Sequence, residues 1–240
     1  MMKKVARSLV VFVFVIIVYV LPFNTALAQI GAYVGVFGGY TLSPDASLGN
    51  YDPNYHLDYD LNVQKSGVFG VKIGGTHPAI KNFSFEFEYS YLNPDVDRTV
   101  LTTVGTDYSA IEGDIKIHNF MFNAIVKYPE GKIHPYLGLG IGASFFDLSL
   151  TSTSRLNGVN YSERHSFNNT VFAWQVLTGV DIDLTNNFSI DIGCRYFDTE
   201  STVYYYDHHN NSHDHDDYHY DGPTLDFRTF IVTLGLKFRF

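Results

Sequence analysis

The chain has 240 residues, of which 45% are hydrophobic, 16% aromatic and only 17% charged, with a mean hydropathy of −0.03. That balance excludes a disordered chain, which would be charge-rich and aromatic-poor, and it excludes a multi-span helical membrane protein, because only the run Leu9–Leu21 approaches spanning length. Sixteen basic against 25 acidic residues, a formal charge of −9, count against nucleic acid as a partner.

Lys3, Lys4 and Arg7 open the chain, an apolar stretch of 13 residues follows, and Ala26-Leu27-Ala28 ends just before Gln29. A positive start, an apolar centre and an A-x-A site read as a secretory signal peptide over residues 1–28. An N-terminal membrane anchor is the competing reading, but the run is short and Pro22 and Asn24 interrupt it. There is no Cys near the cleavage point to carry a lipoprotein anchor. Cleavage removes three basic residues and no acidic one, so the mature domain, residues 29–240, carries a formal charge of −12. Cys194 is the only cysteine, which excludes an intrachain disulfide.

From Gln29 onward a period of two recurs and a period of 3.6 does not, which predicts strands. Ile30–Leu42 and Gln64–His77 alternate weakly. Phe83, Phe85, Phe87, Tyr89 and Tyr91 then share one face, against Ser84, Glu86, Glu88 and Ser90 on the other. Glu112–Tyr128 alternates with a change of phase near His118, where a bulge is expected. In Ile133–Phe145, Leu137, Leu139 and Ile141 oppose Tyr136, Gly138, Gly140 and Gly142. Phe172, Trp174, Val176, Val180 and Ile182 oppose Gln175, Gly179, Asp181 and Asp183, and Phe188, Ile190, Ile192 and Tyr196 oppose Ser189, Asp191, Gly193 and Arg195. The final segment sets Phe230, Val232, Leu234, Leu236, Phe238 and Phe240 against Ile231, Thr233, Gly235, Lys237 and Arg239. That makes eight strands.

Short connections at Pro78–Asn82, Pro129–Lys132 and Thr185–Asn187 alternate strictly with long polar ones at about 43–63, 93–111, 148–167 and 202–224. Outer-membrane barrels sort their connections this way, with short periplasmic turns and long extracellular loops. The apolar faces are too bulky to fill an eight-stranded lumen, so they point outward to lipid and the Gly, Ser and charged faces point inward. The reading is all-β: an eight-stranded antiparallel up-and-down transmembrane β-barrel. The competing reading is a soluble ligand-binding barrel.

Tyr33–Tyr40, Pro135–Gly142 and Gly179-Val180-Asp181 resemble the small outer-membrane barrel family of OmpA-like, OmpX-like and opacity-type proteins. Ile192-Gly193-Cys194-Arg195-Tyr196 is similar to that family's G-x-R-Y strand, with Cys194 in the variable place. The terminal Phe240, preceded by alternating apolar residues, resembles the family's C-terminal signal for the barrel-assembly machinery. The resemblance implies a Gram-negative outer membrane, periplasmic termini, extracellular loops, a monomer, and lipid and lipopolysaccharide as surroundings. With nothing after Phe240, no peptidoglycan-binding domain is expected.

Taken together, the polar faces direct Lys72, Glu86, Glu88, Asn123, Lys127, Gln175, Asp181, Asp183, Asp191, Arg195, Lys237 and Arg239 into the lumen. Opposite charges there are expected to pair, because an unpaired buried charge is costly. Arg195 or Lys237 could reach across to Glu86 and Glu88. A plugged structural core is the preferred reading, with a narrow gated pore as the rival. Catalysis is not expected. Lipid A deacylases of this architecture resemble the chain, but Arg195–Ser201 offers Ser201 and Glu200 without a His at the family's place, and a nucleophilic Ser needs an adjacent base.

Residues 204–222 hold five of the ten histidines: His208, His209, His213, His215 and His219, among Asp214, Asp216 and three further aspartates. Imidazole with carboxylate suits Zn²⁺, Ni²⁺ or Cu²⁺, but the spacing matches no defined motif, so weak, adaptable metal binding competes with a merely solvated loop. Protonation of these histidines below about pH 6 is a third reading. In the first long connection Tyr51, Tyr55 and Tyr59 interleave with Asp52, Asp58 and Asp60, a composition that suits recognition of host or cell-surface ligands and equally, near a strand end, the aromatic girdle at the membrane interface. The function expected is that of a non-enzymatic surface protein, in envelope integrity or adhesion, acting through its four loops.

Overall fold

The structure, a computed structural model, describes residues 31–52, 55–76, 79–104, 107–156, 158–200 and 224–240. It contains eleven strands: β1 (Ala32–Thr41), β2 (Asp45–Asp52), β3 (Tyr55–Leu61), β4 (Gly67–Thr76), β5 (Phe83–Leu92), β6 (Asp95–Val104), β7 (Asp107–Lys127), β8 (Ile133–Leu156), β9 (Val159–Asp183), β10 (Phe188–Glu200) and β11 (Thr224–Arg239). Eight of them form the wall in the order β1-β4-β5-β7-β8-β9-β10-β11, every neighbouring pair antiparallel. β1 then pairs with β11 from Tyr33↔Arg239 to Thr41↔Ile231, closing the ring. Closure leaves no open edge in the wall, the condition for strands to stand in lipid.

Side chains alternate as the period of two requires. Phe69, Leu137, Leu139 and Leu234 are each at least 60% exposed on the outer face. Exposed apolar surface on that scale, wrapped around a whole barrel, fits lipid and does not fit water. The outer aromatics are in contact with one another: Phe85 stacks on Phe122 at 5.6 Å and Phe120 meets Phe145 edge-on at 5.6 Å. Toward the end with the long hairpins the apolar band gives way to polar tips. There the Tyr89 hydroxyl meets His118 Nδ1 at 2.9 Å and the Tyr196 hydroxyl donates to Asp198 Oδ2 at 2.9 Å. Beyond that level lie charged outer residues, including Lys116 with Asp114 at 3.3 Å and Arg228 with Asp45 at 3.0 Å.

Two expectations are corrected. The connections at 43–63, 93–111 and 148–167 are largely strand rather than loop. β2 and β3 form a hairpin joined to the extension of β11, β6 pairs with the extension of β7, and β8 and β9 stay paired as far as Leu156↔Val159. Their backbone groups need partners once the wall rises beyond the apolar band, and Ser- and Thr-rich alternation supplies a ladder that polarity alone disguised as loop. Gly158 sits at the β8–β9 tip with a φ of +81°, a left-handed conformation suited to glycine in a two-residue hairpin turn. The second correction concerns His118. β7 runs past it in unbroken register with both β5 and β8, so no bulge is present. The phase change arises because its inward face turns from polar Asn119 and Asn123 to apolar Ile117 and Ile115. The fourth long connection, 202–224, and the expected signal peptide, 1–28, lie almost wholly or wholly outside the described residues.

Inward glycines make room for inward rings. A Cβ at Gly70 would lie 2.2 Å from the Phe37 ring and 2.6 Å from the Tyr89 carbonyl oxygen. Gly70→Val should therefore prevent the refolded protein from showing the faster gel migration of an unheated barrel. Wild-type-like migration of the variant would contradict this packing.

Candidate functional site

The site proposed from sequence is the lumen. β4 delivers Lys72, β5 Glu86 and Glu88, β9 Asp181, β10 Asp191 and Arg195, and β11 Lys237, all buried. Arg239 lies half-buried at the short-turn end. The structure brings these groups together because each sits on the inward phase of its strand.

Asp191 lies at the centre. It takes an ion pair from Lys72, a second from Lys237 at 3.3 Å, and a hydrogen bond donated by the Tyr136 hydroxyl at 2.8 Å. Lys237 also donates to Asp181 at 2.7 Å. Lys72 reaches Glu86 at 3.8 Å, and Glu86 accepts from the Tyr33 hydroxyl at 3.0 Å and the Asn123 amide at 3.3 Å. Arg195 pairs with Glu88 and lies 3.4 Å from Gln175 Oε1; Gln175 in turn donates to Asn123 Oδ1 at 2.8 Å. Of the cross-lumen pairs considered from sequence, Arg195 with Glu88 forms. Lys237 instead pairs with Asp181 and Asp191.

At the short-turn end Arg239 grips Asp183 at 2.6 Å, and His134 bridges Asp183 at 3.0 Å and the Tyr128 carbonyl oxygen at 2.9 Å. Counting Lys127, five cations (Lys72, Lys127, Arg195, Lys237, Arg239) share the inward faces with five carboxylates (Glu86, Glu88, Asp181, Asp183, Asp191). A formally neutral set of this kind can be buried where single charges could not.

Rings that the sequence reading did not assign a role complete the network. Phe37 lies under both Arg195, at 4.9 Å, and Lys72, at 5.5 Å. Lys237 sits 5.4 Å from the Tyr33 ring and 5.3 Å from the Tyr136 ring. Cations over desolvated aromatic faces gain further attraction. The signal for these rings was the inward parity of Tyr33 and Phe37 opposite Gly74 and Gly70, whose missing side chains admit them.

Toward the long-hairpin end the lumen changes character. Val68, Leu92, Ile115, Ile117, Phe146, Leu148, Val171, Phe197, Phe227 and Ile231 form a continuous buried apolar cluster, extended by Ala46, Leu61, Val63 and Val96. Leu61, Val96 and Leu148 of this cluster lie in the segments expected as loops and are strand instead. Each fully buried side chain of this size contributes about 1.5–3 kcal/mol. Within the charged zone the cavity bounded by Lys72, Glu86, Glu88, Tyr136, Arg195 and Lys237 has about 10 Å³, space for roughly one water.

Glu86 is held by Tyr33, Asn123 and Lys72 and Glu88 by Arg195 with its Oε2 unpartnered among the described residues, and both border a cavity that admits only about one water. Glu200 is exposed at the end of β10, and Ser201 lies outside the described residues. The candidate metal ligands His208, His209, His213, His215, His219, Asp214 and Asp216 also lie outside them. Among the described residues no three His, Cys, Asp or Glu side chains converge to hold a metal ion.

Arg195→Met should destabilise the barrel by about 3–5 kcal/mol, since it strands the buried Glu88 carboxylate. The double variant Arg195→Met/Glu88→Gln should recover a large part of that loss. Urea unfolding followed through Trp174, the only tryptophan, measures both, and additive losses would contradict the pairing.

The sequence model of the outer membrane protein beta-barrel domain family matches residues 13–238. An uncharacterized protein of Brucella abortus is 37% identical over 79 residues, covering 32% of this chain and 28% of the relative. The chain therefore spans less than a third of the curated relatives it matches. Among solved structures, the outer membrane protein OprG from Pseudomonas aeruginosa aligns with a TM-score of 0.54 at 15% identity, over 88% of this chain and 96% of that one. Neisserial surface protein A aligns with a TM-score of 0.44 at 17% identity, over 88% and 97% of the two chains. The closed antiparallel ring, its apolar exterior and the near-complete family match lead to one conclusion: the chain belongs to the outer membrane protein beta-barrel family of the bacterial outer membrane.

Proposed function

We propose that this protein is a non-conducting, non-catalytic surface protein of the outer membrane that acts through the strands rising beyond its apolar band. The observation that carries this reading is the filled interior. A neutral ion-pair network occupies the short-turn half, an apolar cluster occupies the other, and about 10 Å³ remains between the charged groups. A lumen packed this way serves as a core, so the material left for function lies on the outside. Much of it is in the β2–β3 hairpin, β6 and the extended β8–β9 hairpin.

In this reading the long hairpins are extracellular, the short turns and both termini are periplasmic, and the barrel is monomeric. Lipid and lipopolysaccharide surround it, and the strand ending at Phe240 engages the assembly machinery. Attachment to host or neighbouring-cell surfaces accounts for the hairpins best, because a barrel serving envelope integrity alone has no need of a paired ribbon extending to Leu156↔Val159.

Two measurements test this. In a Cys194→Ser background, a membrane-impermeant maleimide should label Arg155→Cys on intact cells and Glu130→Cys only after permeabilisation; the reverse pattern would overturn the orientation. Replacing residues 151–164 by Asn-Gly keeps the Leu150↔His165 pair and shortens the hairpin. That variant should still assemble as a heat-modifiable barrel but lose attachment of producing cells to epithelial monolayers, and undiminished attachment would contradict the surface role.

A further inference from the structure

The two oxygens of the buried Glu88 carboxylate are not equivalent. Glu88 is 1% exposed, and its Oε1 accepts from the Arg195 guanidinium, whereas Oε2 has no hydrogen-bond partner among the described residues. A buried charged acceptor without a donor is costly, and native interiors meet such groups with a protein donor or an ordered water. Glu88 also lines the cavity of about 10 Å³ in the charged zone, with Lys72, Arg195, Lys237, Gly193 and Thr233 around it. Gly193 keeps that space open. It lies on the inward phase of β10, opposite Thr233 of β11 and Gly179 of β9. A Cβ on Gly193 would come within 2.8 Å of both Thr233 Oγ1 and the Tyr136 hydroxyl oxygen.

We propose that this cavity binds one water molecule, which donates a hydrogen bond to Glu88 Oε2 and completes the coordination of the buried carboxylate. Size and charge select the ligand. The space is about one water-sized sphere, which excludes any organic group. Lys72, Arg195 and Lys237 outnumber Glu86 and Glu88 around it, so a metal or ammonium cation is repelled. A halide would suit the cations but has no proton to give Glu88 Oε2. Water both donates and accepts. The Lys72 ammonium has three protons for Asp191 and Glu86, which leaves one for the water, and the Thr233 hydroxyl can take either role. Water thus finds the two to four polar partners that a buried site requires. Placed there, it joins the Arg195–Glu88 pair to the Lys72–Asp191 cluster by a route separate from Gln175 and Asn123. The site belongs to the lumen and is independent of what the strands above it bind.

Crystals of the refolded mature protein, grown with bromide in place of chloride, test the proposal in a map that resolves ordered water at the barrel surface. One peak should stand about 2.5–3.0 Å from Glu88 Oε2, without anomalous signal at the bromine edge. In Gly193→Ala the added methyl group takes that space, so the peak should be lost from a barrel that still shows heat-modifiable migration. Absence of the peak from the wild type, an anomalous signal at its position, or an unchanged peak in Gly193→Ala would overturn the water site. Should Gly193→Ala fail to assemble, NMR of the wild type in micelles decides. A long-lived internal water should cross-relax with the Gly193 and Arg195 amide protons with the sign of a slowly tumbling complex. No such cross-relaxation at either amide would equally overturn the proposal.

Discussion

A strand in lipid has no water to satisfy its backbone, so this fold depends on the β1–β11 pairing that turns a sheet with two edges into a ring with none. Everything else follows from closing that ring with eight strands. The enclosed space is about one side chain deep from each wall, so inward residues from opposite strands must meet. Polar groups there either find partners or destabilise the protein. Asp191, placed between Lys72 and Lys237 and capped by Tyr136, shows how the demand is met. Around Asp191 the pairs interlock, Lys72 bridging Asp191 and Glu86 and Lys237 bridging Asp191 and Asp181, while the Arg195–Glu88 pair joins them through Gln175 and Asn123.

The interior is divided along the barrel axis, and the division explains the hairpins. An ion-pair network alone could fill the space beside the short turns, but the walls continue past the apolar exterior into water. There the barrel behaves as a soluble β-domain, with Ile115 and Phe227 in an apolar core inside while Asp114, Lys116 and Arg228 face outward. The switch of inner character from charged to apolar, and of outer character from apolar to charged, occurs along the same strands. One continuous ladder thus serves two solvents.

The fold was legible because alternation is strict where lipid enforces it. Phe83–Tyr91 and Phe230–Phe240 announced their outward faces, and inward parity alone placed Lys72, Glu86, Glu88, Asp181, Asp191, Arg195 and Lys237 in the lumen. It failed where both faces contact water or where the inner face is apolar. Leu148, Leu150 and Thr151–Ser154 then read as a polar loop, although Asn157-Gly158 between two alternating runs was a hairpin signal. The change at Ile117 mimicked a bulge for the same reason: parity was unchanged and only chemistry shifted. Partner choice inside the lumen was not legible either. Whether Lys237 meets Glu86 or Asp191 depends on stagger around the ring, which no single strand encodes. The His- and Asp-rich tract around His208–His219 lies outside the described residues, and its composition alone carries the metal reading.

On the function proposed above, the filled lumen makes the barrel a mounting for the strands above it. This is tested most directly by recording purified, refolded protein in a planar bilayer under applied voltage. The wild type should leave the membrane silent, because ion pairs such as Arg195–Glu88 and Lys72–Asp191 fill the polar part of the lumen among the described residues. Discrete, reproducible conductance steps from the wild type, altered in amplitude by Glu88→Gln, would contradict it and make the lumen a conduit.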